Sequence, residues 1–107
     1  MKFTATLSSL LLSTLLIPMS ATAGEIRNRA DMCLDVHRPD LTNNGGKVQI
    51  WDCNGQIQQQ WSVKSNGEIR NGAGMCLDVH RPDLTNNGGK VQVWDCNGEI
   101  QQQWSVK

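Results

Sequence analysis

Apolar and polar side chains alternate along short stretches of this chain, break at clusters of turn residues, and then repeat the whole pattern once more. In Met32-Cys33-Leu34-Asp35-Val36-His37 the apolar side chains Met32, Leu34 and Val36 fall at every second position. That period is the mark of a strand with one buried face. Val48 to Cys53 reads as a second such strand, and Glu25 to Asn28 and Gln60 to Val63 as two shorter ones. Arg38-Pro39-Asp40 and Asn43-Asn44-Gly45-Gly46 lie between them; Pro fixes φ and Asn-Gly supplies the positive φ of a tight reversal, so these mark a loop. No stretch has helical periodicity, and the pattern predicts an all-β fold. Gly24 to Lys64 and Gly67 to Lys107 align without a gap and differ only at positions 29/72, 31/74, 50/93 and 56/99. The chain is one four-stranded unit used twice.

The residues ahead of the repeats change the picture of where the protein works. Met1 to about Ala23 has a charged start at Lys2, an apolar run from Leu7 to Ile17 and the small-x-small ending Ala21-Thr22-Ala23. This is the layout of a secretory signal peptide cleaved before Gly24. The apolar run is shorter than the ~20 residues a spanning helix needs, so no membrane insertion is expected. Removing Lys2 with the leader takes the chain from a balanced charge to −1. Without a basic excess, nucleic acid is not an expected partner.

Export together with an even number of cysteines at repeated spacing implies disulfides, Cys33 with Cys53 and Cys76 with Cys96. A metal centre is not expected, because the cysteines form no CxxC pair beside histidines at ligand spacing. Each staple contributes about 3 kcal/mol on the chain-entropy model, a useful addition in a chain too short to bury a large core. If the two cysteines of a unit face each other across an antiparallel hairpin, opposed residue numbers share one sum. Asp35 then lies opposite Trp51 and His37 opposite Gln49, with Asp78 opposite Trp94 and His80 opposite Gln92 in the second unit. Alternation puts all of these on one face and Met32, Leu34, Val36, Val48 and Ile50 on the other, as a core.

A carboxylate, an indole and an amide on one face have two readings. In the first they hold a sugar: the indole stacks on the C–H face of the ring, the acid accepts hydrogen bonds from two neighbouring hydroxyls, and the amide donates and accepts. In the second, Trp51 and Trp94 are cross-strand packing residues and the acids cap local backbone. The residues alone leave both open. Trp61 and Trp104, in the last strand of each unit, are expected in the core.

Cys-Leu-Asp-Val, then Val-Gln-Ile-Trp-Asp-Cys, then the Gln-x-Trp signature at Gln59-Gln60-Trp61 resemble the ricin B-chain type of lectin repeat, over the whole chain behind the leader. The resemblance implies a β-trefoil with one potential sugar site per repeat and no cofactor. Asp35 would hold two hydroxyls, Trp51 would stack, Gln49 would lie beside them, and Gln58 and Gln59 would add to the site and brace Asp35. Asp78, Trp94, Gln92, Gln101 and Gln102 match in the second unit. His37 and His80 have a route to the sugar rim through Gln49 and Gln92. Family members usually have Asn where this chain has Gln58 and Gln101, which bears on which sugar fits. A trefoil needs three units and this chain has two, so the expectation is an incomplete trefoil, closed by oligomerisation when three chains pool six units into two complete ones.

Other functions fit less well. Asp35 with His37, or Asp78 with His80, forms an acid/base couple without a nucleophile or second carboxylate at useful spacing, so an enzyme is not expected. A protease-inhibitor-like trefoil would work through the loop Arg38 to Lys47 or its copy Arg81 to Lys90. Asp40-Leu-Thr-Asn-Asn-Gly lacks the alternating oxygen ligands of a calcium loop. The expected function is that of a secreted, non-catalytic lectin with two equivalent sites for a polysaccharide or glycoconjugate.

Overall fold

The computed structural model describes residues 23–107. The leader expected over 1–23 therefore lies, but for its last residue, outside the described residues. Within them the alternating stretches form six strands: β1 (Met32–Val36), β2 (Gly46–Asp52), β3 (Trp61–Val63), β4 (Ile69–Asn71), β5 (Cys76–Val79) and β6 (Val91–Trp94). They make one antiparallel sheet in the order β1-β2-β6-β5-β4-β3. The hairpins β1–β2 and β5–β6 are the two disulfide-stapled units. The sheet curls as two adjoining units of an incomplete β-trefoil.

The staples form as expected, Cys33 with Cys53 and Cys76 with Cys96, each with its α-carbons 5.1 Å apart. The register they were expected to set is corrected by two residues. Cys33 lies opposite Trp51 and Asp35 opposite Gln49, while Cys76 lies opposite Trp94 and Asp78 opposite Gln92. The reason is that β2 ends at Asp52, so Cys53 has already left the ladder and bends back over Cys33. A slip of two keeps every side chain on its face, whereas a slip of one would have reversed them all.

Other expectations shift with the surroundings. The strand expected at Glu25 to Asn28 is reduced to isolated bridges at Gly24 and Arg27, whereas its copy in the second unit is β4. The reverse holds for the last strand: β3 pairs with β4, and no strand is assigned at its copy after Gln102. Four single 3-10 turns, at Arg38–Asp40, Ile57–Gln59, Arg81–Asp83 and Ile100–Gln102, interrupt what periodicity reads as loop. In the loop closing the second hairpin, the hydrogen bond from the Lys90 backbone N–H and then the Asn86 amide hold the Asp83 carboxyl below the usual carboxylate range.

The core gathers Val36, Trp61, Ile69, Met75, Leu77 and Val93, with Ile26, Leu34, Leu41, Val48 and Trp104 packed against it. Both last-strand indoles are anchored, Trp61 Nε1–H to the Leu34 carbonyl and Trp104 Nε1–H to the Leu77 carbonyl, each at 3.0 Å. Two expected core residues are not there: Met32 is only half-buried although its copy Met75 belongs to the core, and Ile50 is 53% exposed although its copy Val93 is fully buried. At Ile50 the difference comes from the neighbour. The loop of the first unit crosses onto the second, pairing Gly46 with Val93 and Lys47 with Gln92. Gly46 is required there, since a β-carbon would stand 2.7 Å from Val93 Cγ2 and 2.5 Å from the Asp40 carbonyl oxygen. Nothing among the described residues crosses onto Ile50 in the same way.

Candidate functional site

Each hairpin carries a cleft on the face that holds the acid and the indole. The first, of about 520 Å³, is lined by Asp35, His37, Gln49, Trp51 and Gln58, together with Arg38, Pro39, Lys47, Asn54 and Gln56. The second, of about 280 Å³, is lined by Asp78, His80, Gln92, Trp94 and Gln101 with Arg81 and Pro82. Alternation along β1 and β2 brings Asp35, Gln49 and Trp51 to one face, and the 3-10 turn of Ile57–Gln59 swings two glutamines beneath them.

The acid is the floor of the cleft rather than part of its exposed wall. Asp35 is 3% and Asp78 2% exposed, so the acids share a face with their indoles but lie beneath its surface. Burying a carboxylate is costly unless it is hydrogen-bonded, and each has two dedicated donors. Asp35 Oδ1 accepts from Gln49 Nε2 at 3.1 Å and Oδ2 from Gln59 Nε2 at 2.9 Å. Asp78 Oδ1 accepts from Gln92 Nε2 and Oδ2 from Gln102 Nε2, both at 2.9 Å. An ionised carboxylate has about four acceptor positions, so these donors leave roughly half of them free. Each oxygen is oriented and still able to take one more hydrogen bond.

Gln59 and Gln102 are wholly buried and do not line the clefts. Each is a bracket. Gln59 Nε2 also donates to the Asp52 carbonyl at 2.8 Å, and its Oε1 accepts from the Asn54 backbone N–H at 2.8 Å. Gln102 repeats this with Asp95 and Asn97. The signature glutamine thus ties the end of the hairpin to the acid.

Gln58 and Gln101 do line the clefts, and both are buried. Their amide nitrogens donate to Gln56 Oε1 at 3.1 Å and Glu99 Oε1 at 3.2 Å. Their carbonyl oxygens accept from no group among the described residues. A buried acceptor without a donor costs about 1–3 kcal/mol, and such atoms mark places where a ligand hydroxyl is welcome.

Trp51 and Trp94 form the exposed walls, at 55% and 38%. The indoles are not in the packed interior, and no disulfide crosses between units. His37 and His80 are exposed, just beyond β1 and β5, where they line the cleft mouths. The correction of register means that they do not oppose Gln49 and Gln92.

Sequence reasoning missed the basic rim. Arg38 Nη1 donates to Gln56 Oε1 at 3.0 Å, and Arg81 makes an ion pair with Glu99 at 2.8 Å. The signal was present in the repeat itself, because 56/99 is one of only four positions at which the units differ. The 3-10 turn after each histidine, opened by Pro39 or Pro82, brings these arginines to the cleft.

Three comparisons bear on what this arrangement is. A crystal structure of the hemolytic lectin CEL-III superimposes with a TM-score of 0.68 at 35% identity, over 80% of this chain and 19% of that one. The β-trefoil lectin of the Vibrio vulnificus hemolysin/cytolysin, solved with N-acetyl-D-lactosamine bound, gives a TM-score of 0.61 at 28% identity, over 80% and 61% of the two chains. The designed threefold-symmetric protein ThreeFoil gives 0.68 at 26% identity, over 80% and 64%. The chain thus spans less than two thirds of each of these proteins. A sequence comparison with curated proteins finds no match. The family model for the ricin-type β-trefoil lectin domain matches residues 22–107, the whole of the described structure. On that match, and on a fold shared with solved β-trefoil lectins, this chain belongs to the ricin-type β-trefoil lectin domain family.

Proposed function

We propose that the chain is a secreted, non-catalytic lectin that binds a polysaccharide or glycoconjugate through two sites of one design. The observation that carries this reading is the buried Asp held by two glutamines beneath an exposed indole, found in both repeats. The indole stacks on the apolar face of a sugar ring, while Asp35 or Asp78 accepts from two adjacent hydroxyls. Gln58 or Gln101 adds to the lining of the site, and His37 or His80 meets the sugar at the cleft mouth. The relative solved with N-acetyl-D-lactosamine supports a saccharide as the ligand class.

The non-catalytic part rests on the lining of the clefts. Each contains one carboxylate, and glycoside hydrolysis by paired carboxylates needs two across the scissile bond. Export is supported by the two disulfides, which persist in oxidising compartments. A pair of shallow sites on one rigid sheet favours a multivalent target, since the second contact forms at a high effective concentration.

A glycan array with the oxidised chain identifies the sugar, and retention on that sugar then tests the residues. Replacing both Trp51 and Trp94 by Ala should abolish retention with the fold intact, because neither side chain belongs to the core cluster. Retention equal to that of the unmodified chain would refute the assignment.

A further inference from the structure

The two repeats meet through one interface, and the chain presents each half of that interface a second time, unused. On the giving side, the first repeat contributes Leu41, Asn44, Gly45-Gly46, Ile57 and β3. Leu41 accepts at its carbonyl from Asn71 Nδ2 at 3.1 Å. Asn44 Oδ1 accepts from the Asp95 backbone N–H at 2.7 Å, and Asn44 Nδ2 donates to Asp95 Oδ2 at 3.1 Å. Gly45 donates to the Val93 carbonyl at 2.8 Å. The copies of these giving groups, Leu84, Asn87, Gly88-Gly89 and Ile100, make no such contacts among the described residues; Leu84 and Ile100 are exposed. On the receiving side, the copies of Asn71, Val93 and Asp95 are Asn28, Ile50 and Asp52. Asn28 folds its own turn as Asn71 does, yet its amide nitrogen has no carbonyl to bond among the described residues.

We propose that copies of this chain close these edges on one another, the loop Leu84 to Lys90 of one docking on Asn28, Ile50 and Asp52 of the next. The partner is fixed by continuity with the existing interface, because each free edge repeats a face that already makes the contact, the residues named differing only at Ile50, which stands for Val93, and at Arg29, which stands for Gly72. Covering them buries Ile50 on one edge and Leu84 and Ile100 on the other, all three exposed in the single chain.

Geometry sets the stoichiometry. A second chain docked by its first repeat completes a three-unit ring, and its second repeat would then occupy the place where the first chain's own first repeat stands. That chain must open at the exposed turn Lys64-Ser65-Asn66-Gly67, and its released second repeat completes a ring with a third chain. Three chains give two rings, through the exchange of one repeat at a hinge. The docked loop also finishes a sugar site. A β-carbon at Gly45 would lie 3.8 Å from the Trp94 ring, so the first repeat's turn backs that indole; in the assembly Gly88 backs Trp51 in the same way.

One position loosens the fit. Gly72 has no room for a side chain, since a β-carbon would meet Ile57 Cγ1 at 2.7 Å and the Ile57 carbonyl oxygen at 3.0 Å. Its copy on the free edge is Arg29, which forces Ile100 and its backbone to give by a few tenths of an ångström. Arg29→Gly should therefore tighten the assembly.

Light scattering on the exported, oxidised chain across the micromolar range tests this without reference to sugar. The expected mass is three times that of the chain. Ile50→Glu, at a site already exposed in the single chain, should return it to the single mass with its circular dichroism unchanged. Arg29→Gly should lower the concentration of half-assembly about tenfold. A single or double mass throughout the range, or an unchanged triple mass for Ile50→Glu, would overturn the proposal.

Discussion

The first and second repeats are nearly the same text in two surroundings, and they do not fold to the same surface. Ile50 stands in solvent where Val93 is fully buried, and Trp51 is more open than Trp94. Neither difference is explained by the residue itself. Both follow from the loop of the first repeat, which lies across the second and has no counterpart across the first among the described residues. Burial in this molecule is thus a property of the neighbouring unit, while hydrogen bonding inside a unit is a property of the unit. The acids show the second half of that rule: Asp35 and Asp78 differ in exposure by almost nothing and receive the same two amides.

The rule is most easily broken at the bracket, where the repeats should behave alike. Gln102→Ala removes donors to Asp78 and to the Asp95 carbonyl, and the acceptor for the Asn97 N–H. Leaving such buried groups without partners should cost about 3 kcal/mol of stability. Gln59→Ala should cost the same within error, and each should silence its own cleft. Urea unfolding of the two variants, with titration of the identified sugar, checks the pair. A large difference between them would mean that the neighbour reaches further into the unit than the geometry indicates.

The edge is where the repeats should part. Val93→Ala removes methyl groups from a fully buried site and should cost about 2 kcal/mol. Ile50→Ala acts on an exposed side chain and should stay within about 0.5 kcal/mol in the single chain. The same measurement sharpens the assembly proposal, for in the closed ring Ile50 takes the place of Val93. The cost of Ile50→Ala should then rise toward that of Val93→Ala as protein concentration rises, while the cost of Val93→Ala stays constant.

This contrast also explains what could be read from the sequence. The strands β1, β2 and their copies, the disulfide pairing and the shared face of Asp35, Gln49 and Trp51 depend on contacts within one hairpin, and alternation with cysteine spacing encodes them. The register was misread because a disulfide was taken as a rung of the ladder, when Cys53 lies beyond its end. The slip was harmless only because it was even. Ile50 was misplaced for a different reason: no local pattern tells a residue whether another unit will cover it. The burial of the acids, the bracket's bonds to Asp52 and Asp95, and the arginines at the rim rest on 3-10 turns three residues long, too short to leave a period in the sequence.

The smallest difference between the repeats is the one with most bearing on ligand choice. Position 56/99 puts a neutral amide beside Arg38 in the first cleft and a carboxylate beside Arg81 in the second. In the second cleft the Arg81 charge is already matched, and Asp78 is the acid below it. In the first, Arg38 and Lys47 face the cleft with Asp35 as the single carboxylate of its lining. A saccharide carrying a carboxylate or sulfate should therefore favour the first site over the second. An exposed ion pair is worth at most about 1 kcal/mol, so the preference should be no more than about fivefold and should fade with added salt. Glu99→Gln should narrow it, leaving affinity for neutral sugars unchanged at both sites. The indole N–H resonances of Trp51 and Trp94 report the two clefts separately, with Trp61 and Trp104 as internal references because their N–H groups are bonded inside the core. If the two indoles titrate together with an anionic sugar before the substitution as well as after it, the rim charge has no part in selection, and the clefts are equivalent in chemistry as they are in their floors.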